Sequence, residues 1–121
     1  MAIQESGEMY LEAIYVLLQK KQGVHAIDVG EYLGFSKPSV SRALSILKKE
    51  NLITVDSFSH IELTEQGVAL SKKIYNRHVV LKSFLVRLGV SEEIAEKDAC
   101  RIEHVISDET YLAIQNDIEK Q

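Results

Sequence analysis

Ser36-Lys37-Pro38-Ser39-Val40-Ser41-Arg42-Ala43-Leu44-Ser45-Ile46-Leu47-Lys48-Lys49-Glu50 carries the marks of a helix at its start and along one side. Serine at the head offers an oxygen to the first free backbone N–H groups, and Pro38 suits the first turn, where a missing N–H leaves no bond unmade. Val40, Leu44 and Leu47 recur at helical spacing and form a stripe for burial. Lys37, Ser39, Ser41, Arg42, Ser45 and Lys48 remain on the accessible side. Short hydroxyls among scattered cations suit phosphate oxygens and base edges.

Upstream, Ile27 to Leu33 reads as a short helix with Val29, Tyr32 and Leu33 available for burial, ended by Gly34. Two short helices joined by a glycine-containing turn make a helix-turn-helix, and the N-terminal residues of the second would enter the major groove. The expected DNA surface is Ser36, Lys37, Pro38, Ser39, Ser41 and Arg42. Among them Pro38 is a candidate apolar contact for a thymine methyl and Arg42 a candidate for guanine. Downstream, Leu52-Ile53-Thr54-Val55 and His60-Ile61-Glu62-Leu63-Thr64 are β-prone runs separated by Asp56-Ser57-Phe58-Ser59, the pattern of a small hairpin or wing. The competing reading is an α+β packing unit with no nucleic-acid role.

Around this unit the rest of the chain is helical. From about Glu5 to Lys21, Leu11, Ile14, Tyr15, Leu17 and Leu18 recur at helical spacing, with Ser6 as a cap. Met9 and Glu12, three residues apart, are neighbours on one face of that helix. After Thr64-Glu65-Gln66-Gly67 a long helical pattern runs to about Leu88 and carries His78. Gly89 stops it, Ser91-Glu92-Glu93 opens the next helix with a cap and an acidic first turn, and Ser107-Asp108-Glu109 opens a last one.

Charge divides the chain. Residues 20 to 88 carry eleven Lys/Arg against six Asp/Glu, whereas residues 89 to 121 carry three against nine. A basic middle that can face phosphates is thus joined to an acidic end with another task. One cysteine excludes an intramolecular disulfide framework. No secretory signal is visible and no apolar run reaches the roughly 18 residues of a membrane span. A cytoplasmic protein with no membrane partner is expected.

The acidic end holds Asp98-Ala99-Cys100-Arg101-Ile102-Glu103-His104, a thiol, a carboxylate and an imidazole within five residues. On a helix, at roughly 100° per residue, Glu103 lies about 60° and His104 about 40° from Cys100, so the three converge as half of a metal site. The alternative is two solvated polar side chains beside a small core hydrophobe.

Taken together these motifs resemble the diphtheria-toxin-repressor, or iron-dependent repressor, family of metal-dependent transcriptional regulators over nearly the whole length. Glu8-Met9-Tyr10-Leu11-Glu12-Ala13-Ile14-Tyr15 is similar to the family's first helix and Ser36 to Ser41 to the start of its recognition helix. Arg77-His78 is similar to its linking helix, and Ala99 to Glu109 to its metal helix. The resemblance implies Met9, Cys100, Glu103 and His104 as the primary site of the iron-responsive branch and His78 as a ligand of an ancillary site. Glu12 resembles the acid of the manganese-responsive branch. Glu96 stands where some iron-type members carry a histidine, and Lys82 where a glutamate stands. Glu12, His78 and Glu96 could rebuild an ancillary site. The SH3-like third domain of longer members is not expected.

The fold expected is mostly α with a small β-hairpin. A winged helix-turn-helix DNA-binding domain spans 1–68 and a helical metal-binding and dimerisation domain spans 69–121. The function expected is a metal-dependent DNA-binding regulator, a repressor by family analogy. It would bind a palindromic double-stranded DNA operator as a homodimer through stripes such as Ile94, Ile102 and Val105 or Leu112, Ile114 and Ile118. Thioether and thiolate favour softer transition metals over Mg2+ or Ca2+. The expected ion is Fe2+, with Mn2+ next and Co2+, Ni2+ or Zn2+ as substitutes. Other readings are a winged-helix redox sensor acting through Cys100 without metal, a permanent metal staple for folding, and a metal-assisted hydrolase. For the last, no general-base constellation is visible, so an enzyme is not expected.

Overall fold

The computed structural model describes residues 5–120, which form six helices and one hairpin in the order α1 (Glu5–Lys20), α2 (Ala26–Leu33), α3 (Lys37–Lys49), β1 (Ile53–Val55), β2 (Ile61–Leu63), α4 (Glu65–Arg87), α5 (Glu92–Ile102) and α6 (Asp108–Glu119). The mostly helical class with one small antiparallel hairpin is the one read from the sequence. The chain divides into two compact units, Met1–Lys72 and Lys73–Gln121.

In the first unit α1, α2 and α3 pack on one another, and the hairpin packs on α1 and α3. Leu11, Ile14, Val24, Val29, Leu47 and Leu52 are sealed from solvent in its core. Helical spacing supplies one or two of these from each helix, and burial of each large aliphatic side chain stabilises the unit by roughly 1.5–3 kcal/mol. Two details differ from the sequence reading. The helix already includes Ser6, which therefore sits inside α1 and is not its cap. Tyr32 is half exposed, because only Val29 among the residues of α2 faces the core fully.

Two backbone positions set the helix-turn-helix. Gly34 closes α2 in the left-handed conformation, φ 74°, with its N–H donating to the Gly30 carbonyl at 2.8 Å; a side chain there would strain the turn. Two residues on, Ser36 caps α3 by accepting from the Ser39 N–H at 3.3 Å. The hairpin is shorter than read, with three residues per strand paired Ile53 to Leu63, Thr54 to Glu62 and Val55 to Ile61. Its outer ends are taken over by loop bonds: the Thr64 N–H donates to the Leu52 carbonyl at 3.0 Å, and the Asp56 carboxylate accepts from the N–H groups of Phe58 at 2.8 Å and His60 at 2.9 Å. The start of α4 lies so close to Leu52 that a Cβ on Gly67 would stand 2.0 Å from the Leu52 carbonyl oxygen.

In the second unit, Ile74 and Leu81 of α4 and Ala95 and Ala99 of α5 are buried. Ser91 and Ser107 cap α5 and α6, accepting from the N–H groups of Ile94 at 3.3 Å and Thr110 at 3.1 Å. Between these helices α5 ends at Ile102, Glu103 is its C-cap, and His104 lies in the following turn, its N–H pointing at the Arg101 carbonyl at 3.4 Å. No helix of the described residues is long and apolar enough to cross a membrane.

Candidate metal centre and nucleic-acid face

Glu103 and His104 lie past the regular helix that the sequence suggested, yet they converge with Cys100. The Glu103 cap keeps a helical conformation, φ −58° and ψ −25°, and its N–H still reaches the Ala99 carbonyl at 3.0 Å. One donor atom each from Cys100, Glu103 and His104 therefore fall within 4.8 Å of one another. Glu103 is wholly buried. One of its oxygens faces Nε2 of His104 at 3.3 Å and the other faces Nδ1 of His78 at 3.4 Å. A carboxylate withdrawn from water is costly unless a cation or hydrogen-bond donors compensate it. With a thiol beside it and imidazoles on both sides, the donor set is the sulfur, nitrogen and oxygen mixture that first-row transition metals take. The residues present fit a divalent transition-metal ion.

The same unit brings His78 and Glu96 into this neighbourhood. His78, on α4, turns its other nitrogen, Nε2, to an ion pair with Glu96 of α5, whose second oxygen receives Lys82 Nζ at 3.3 Å. Met9 and Glu12 stand three residues apart on α1 of the first unit, each half-buried.

In the sequence Arg77 is distinguished only by its place next to His78. Its guanidinium donates to the carbonyls of Glu103 at 3.4 Å and Ile106 at 3.1 Å, pairs with Asp108, and lies 5.2 Å from the centre of the Tyr111 ring. It thereby holds both ends of the turn that carries Glu103 and His104. Burial pushes the Tyr111 hydroxyl pKa up, while the charge of Arg77 works in the opposite direction.

In the first unit, Lys37, Pro38, Ser41 and Arg42 are exposed on α3 and Ser39 is half-buried. Ser36 is occupied locally, its hydroxyl capping the helix and meeting the Ser39 hydroxyl at 2.9 Å. Ser39 Oγ in turn stands 3.5 Å from an Arg42 guanidinium nitrogen. Val40 and Leu47 are buried as the stripe requires, and Leu44 is half-buried. Thus α3 presents a cationic, hydroxyl-rich edge on a packed three-helix support.

Models of two protein domains match the chain: the iron-dependent repressor N-terminal DNA-binding domain over residues 2–61 and the iron-dependent repressor metal-binding and dimerisation domain over residues 64–120. A helix-turn-helix transcriptional regulator of Methanocaldococcus jannaschii is 30% identical over 120 residues, covering 98% of this chain and 96% of that protein. The transcriptional regulator MntR of Escherichia coli O6:H1 is 36% identical over 106 residues, 88% of this chain and 68% of its own length. Among solved structures, ScaR with bound Zn2+ superposes with a TM-score of 0.81 at 25% identity over 95% of this chain, which spans 54% of that one.

Proposed function

Because the chain belongs to the iron-dependent repressor family, matched in both its DNA-binding and its metal-binding and dimerisation domains, we propose that it represses transcription from a palindromic operator, as a homodimer, when a divalent transition-metal ion is held by Cys100, Glu103 and His104. At the coarser level it is a metal-dependent DNA-binding transcriptional regulator, of a family of regulators and not of enzymes. The observation that carries the proposal is the convergence of three different donors around a buried carboxylate in a chain whose other unit is a winged helix. A thiolate ligand disfavours Mg2+ and Ca2+; among transition metals the proposed ion is Fe2+, with Mn2+ next, because Met9 and Cys100 resemble the iron-responsive branch.

When bound, the ion supplies charge compensation for Glu103 and directed bonds to sulfur, oxygen and nitrogen. The remaining work falls to the chain. Arg77 fixes the turn on which Glu103 and His104 ride. Met9 and Glu12 are proposed as further ligands from the first unit. A ligand set drawn from both units binds some arrangements of them more tightly than others, which is the condition for an ion to shift a population. On α3, Lys37 and the hydroxyls of Ser39 and Ser41 contact phosphates, Arg42 reads a base edge, and Pro38 meets a thymine methyl. The proposed boundary between DNA-reading and metal-holding domains is 68/69, within α4. Ile94, Val105 and Leu112, 47%, 63% and 51% exposed, supply the apolar surface proposed for the homodimer. A dimer then sets its two recognition helices about one DNA turn apart, on the halves of a palindrome.

The test is a fluorescence-anisotropy titration of the metal-free protein against a palindromic operator candidate and a scrambled duplex, anaerobically, with and without Fe2+, repeated with Glu103→Ala. Metal-dependent, operator-selective binding that the substitution abolishes is the expected result. Tight selective binding without metal overturns the proposal in favour of a redox-sensing or constitutive regulator, with the Cys100 cluster structural.

A further inference from the structure

A second line of polar side chains runs from the candidate metal ligands toward the surface of the second unit. Glu103 faces His78, His78 faces Glu96, and Glu96 faces Lys82. The imidazole and two carboxylates of this line are by themselves a donor set for another divalent cation. The line ends, however, in a positive charge that the chain provides itself. Lys82 lies one helical turn beyond His78 on α4, so both project from the same face, and its ammonium stands 3.3 Å from the Glu96 oxygen that His78 does not use.

We propose that Lys82 is a built-in cation that takes the place of a second metal ion, so that each subunit holds a single ion at Cys100, Glu103 and His104. The proposal rests on the reading of those three residues as metal ligands. Its logic is electrostatic. A metal ion on His78 and Glu96 would have to share the Glu96 carboxylate with an ammonium already beside it, and like charges at such separations repel even at a partly exposed site, where solvent weakens the repulsion without removing it. Displacing the lysine is opposed by its tether, because a charge carried on α4 next to its partner acts at a high effective concentration. The side chain is one-third exposed and Glu96 one-half exposed, so substitution at position 82 leaves the core untouched. A single-ion sensor should also respond to metal without cooperativity between sites in the same subunit.

The experiment counts ions. Metal-free protein is titrated with Mn2+ and the free ion is read by electron paramagnetic resonance, for the wild type, Lys82→Arg, Lys82→Glu and Lys82→Glu combined with Glu96→Gln, with thermal melts to confirm folding. The expected result is one Mn2+ per subunit for the wild type and for Lys82→Arg. Lys82→Glu should take up a second ion, and the added Glu96→Gln should lose it again. A second ion on the wild type overturns the proposal while leaving the Cys100 site standing, as does a folded Lys82→Glu that still takes only one. A wild type that takes up neither Mn2+ nor, followed anaerobically by calorimetry, Fe2+ overturns both this proposal and the reading it rests on.

Discussion

The carboxylate of Glu103 lies 3.4 Å from the imidazole of His78, in a position where Glu103 has no solvent exposure at all. This joins a residue of α4 to the cap of α5 and puts an acidic group where only compensation by its neighbours or by an ion keeps it ionised without large cost. Glu103→Gln keeps the size of the side chain, exchanges one acceptor oxygen for an amide donor and removes the charge. The expected outcome is a folded protein whose metal response is gone. At an ion concentration about 100-fold above Kd a bound ion stabilises the wild type by about 2.7 kcal/mol. Thermal denaturation with and without Mn2+ should show that gain in the wild type and none in the variant. An undiminished gain in Glu103→Gln would remove the carboxylate from the ligand set.

Arg77 is the second position to change. Its guanidinium bonds two carbonyls of the α5–α6 turn, pairs with Asp108 and covers Tyr111, with its side chain only 13% exposed. Arg77→Ala should cost about 2–3 kcal/mol, since charge-assisted bonds are lost and two carbonyls lose their donor. Lysine cannot span two carbonyls and a carboxylate with one planar fork, so Arg77→Lys should recover little. Hydrogen exchange should locate the damage: amides of residues 103–108 are expected to exchange faster while those of α1 do not change. Uniform acceleration across the chain would refute a local clamp.

At the start of α2 the backbone N–H of His25 donates to the Asp28 carboxylate at 2.8 Å. This bond, with a smaller contribution from Lys21 3.2 Å away, holds the Asp28 pKa below the ordinary carboxylate value. A depressed carboxylate pKa contributes stability above the unfolded-state value of about 3.9, and that contribution disappears as pH falls through the lower folded-state value. The stability difference between wild type and Asp28→Asn should therefore be flat above about pH 5 and shrink as the solution is acidified below about pH 4. Urea denaturation at a series of pH values measures it. A difference that grew on acidification would have the wrong sign for this bond.

The parts of the molecule legible in the sequence are those dictated by neighbours along the chain. The serine caps at Ser36, Ser91 and Ser107, the glycine that ends α2, and the apolar stripes of α1 and α3 all follow from local spacing and backbone chemistry. The cluster at Cys100 was legible because its three donors lie within five residues, although α5 ends at Ile102 and the last two donors converge through a cap and a turn. What sequence reasoning missed depends on contacts between distant segments. Nothing near Gly67 announces the Leu52 carbonyl that forbids a side chain there. Nothing near Arg77 announces the turn about thirty residues later that it binds. Tyr32 lies half exposed because a short helix two turns long buries one narrow edge, and Val29 fills it.

Arg42 tests the DNA-reading face. It is exposed on α3 and its guanidinium stands 3.5 Å from the Ser39 hydroxyl, which orients it along the edge that faces outward. If it reads guanine, Arg42→Ala should weaken operator binding by about 1–3 kcal/mol and relax sequence preference at one position of each half-site. Binding measured on the operator and on a scrambled duplex separates the possibilities. Equal losses on both would assign Arg42 to the phosphate backbone.

Metal binding and operator binding should be coupled. If an ion held at Cys100, Glu103 and His104 raises the affinity for operator, thermodynamic linkage requires the operator to raise the affinity for the ion by the same factor. A typical coupling of about 1–3 kcal/mol corresponds to roughly 5–150-fold in either affinity. Isothermal titration of Mn2+ into the protein alone, into its complex with the specific duplex and into a mixture with a scrambled duplex should give tighter binding only in the second case. The control is informative because a random duplex of the same length carries the same phosphates and counterions, so a shift common to both duplexes reflects charge and not recognition. Identical Mn2+ affinities in all three titrations would mean that the ion binds every arrangement of the protein equally well. It could then stabilise the fold, but it could not act as the switch.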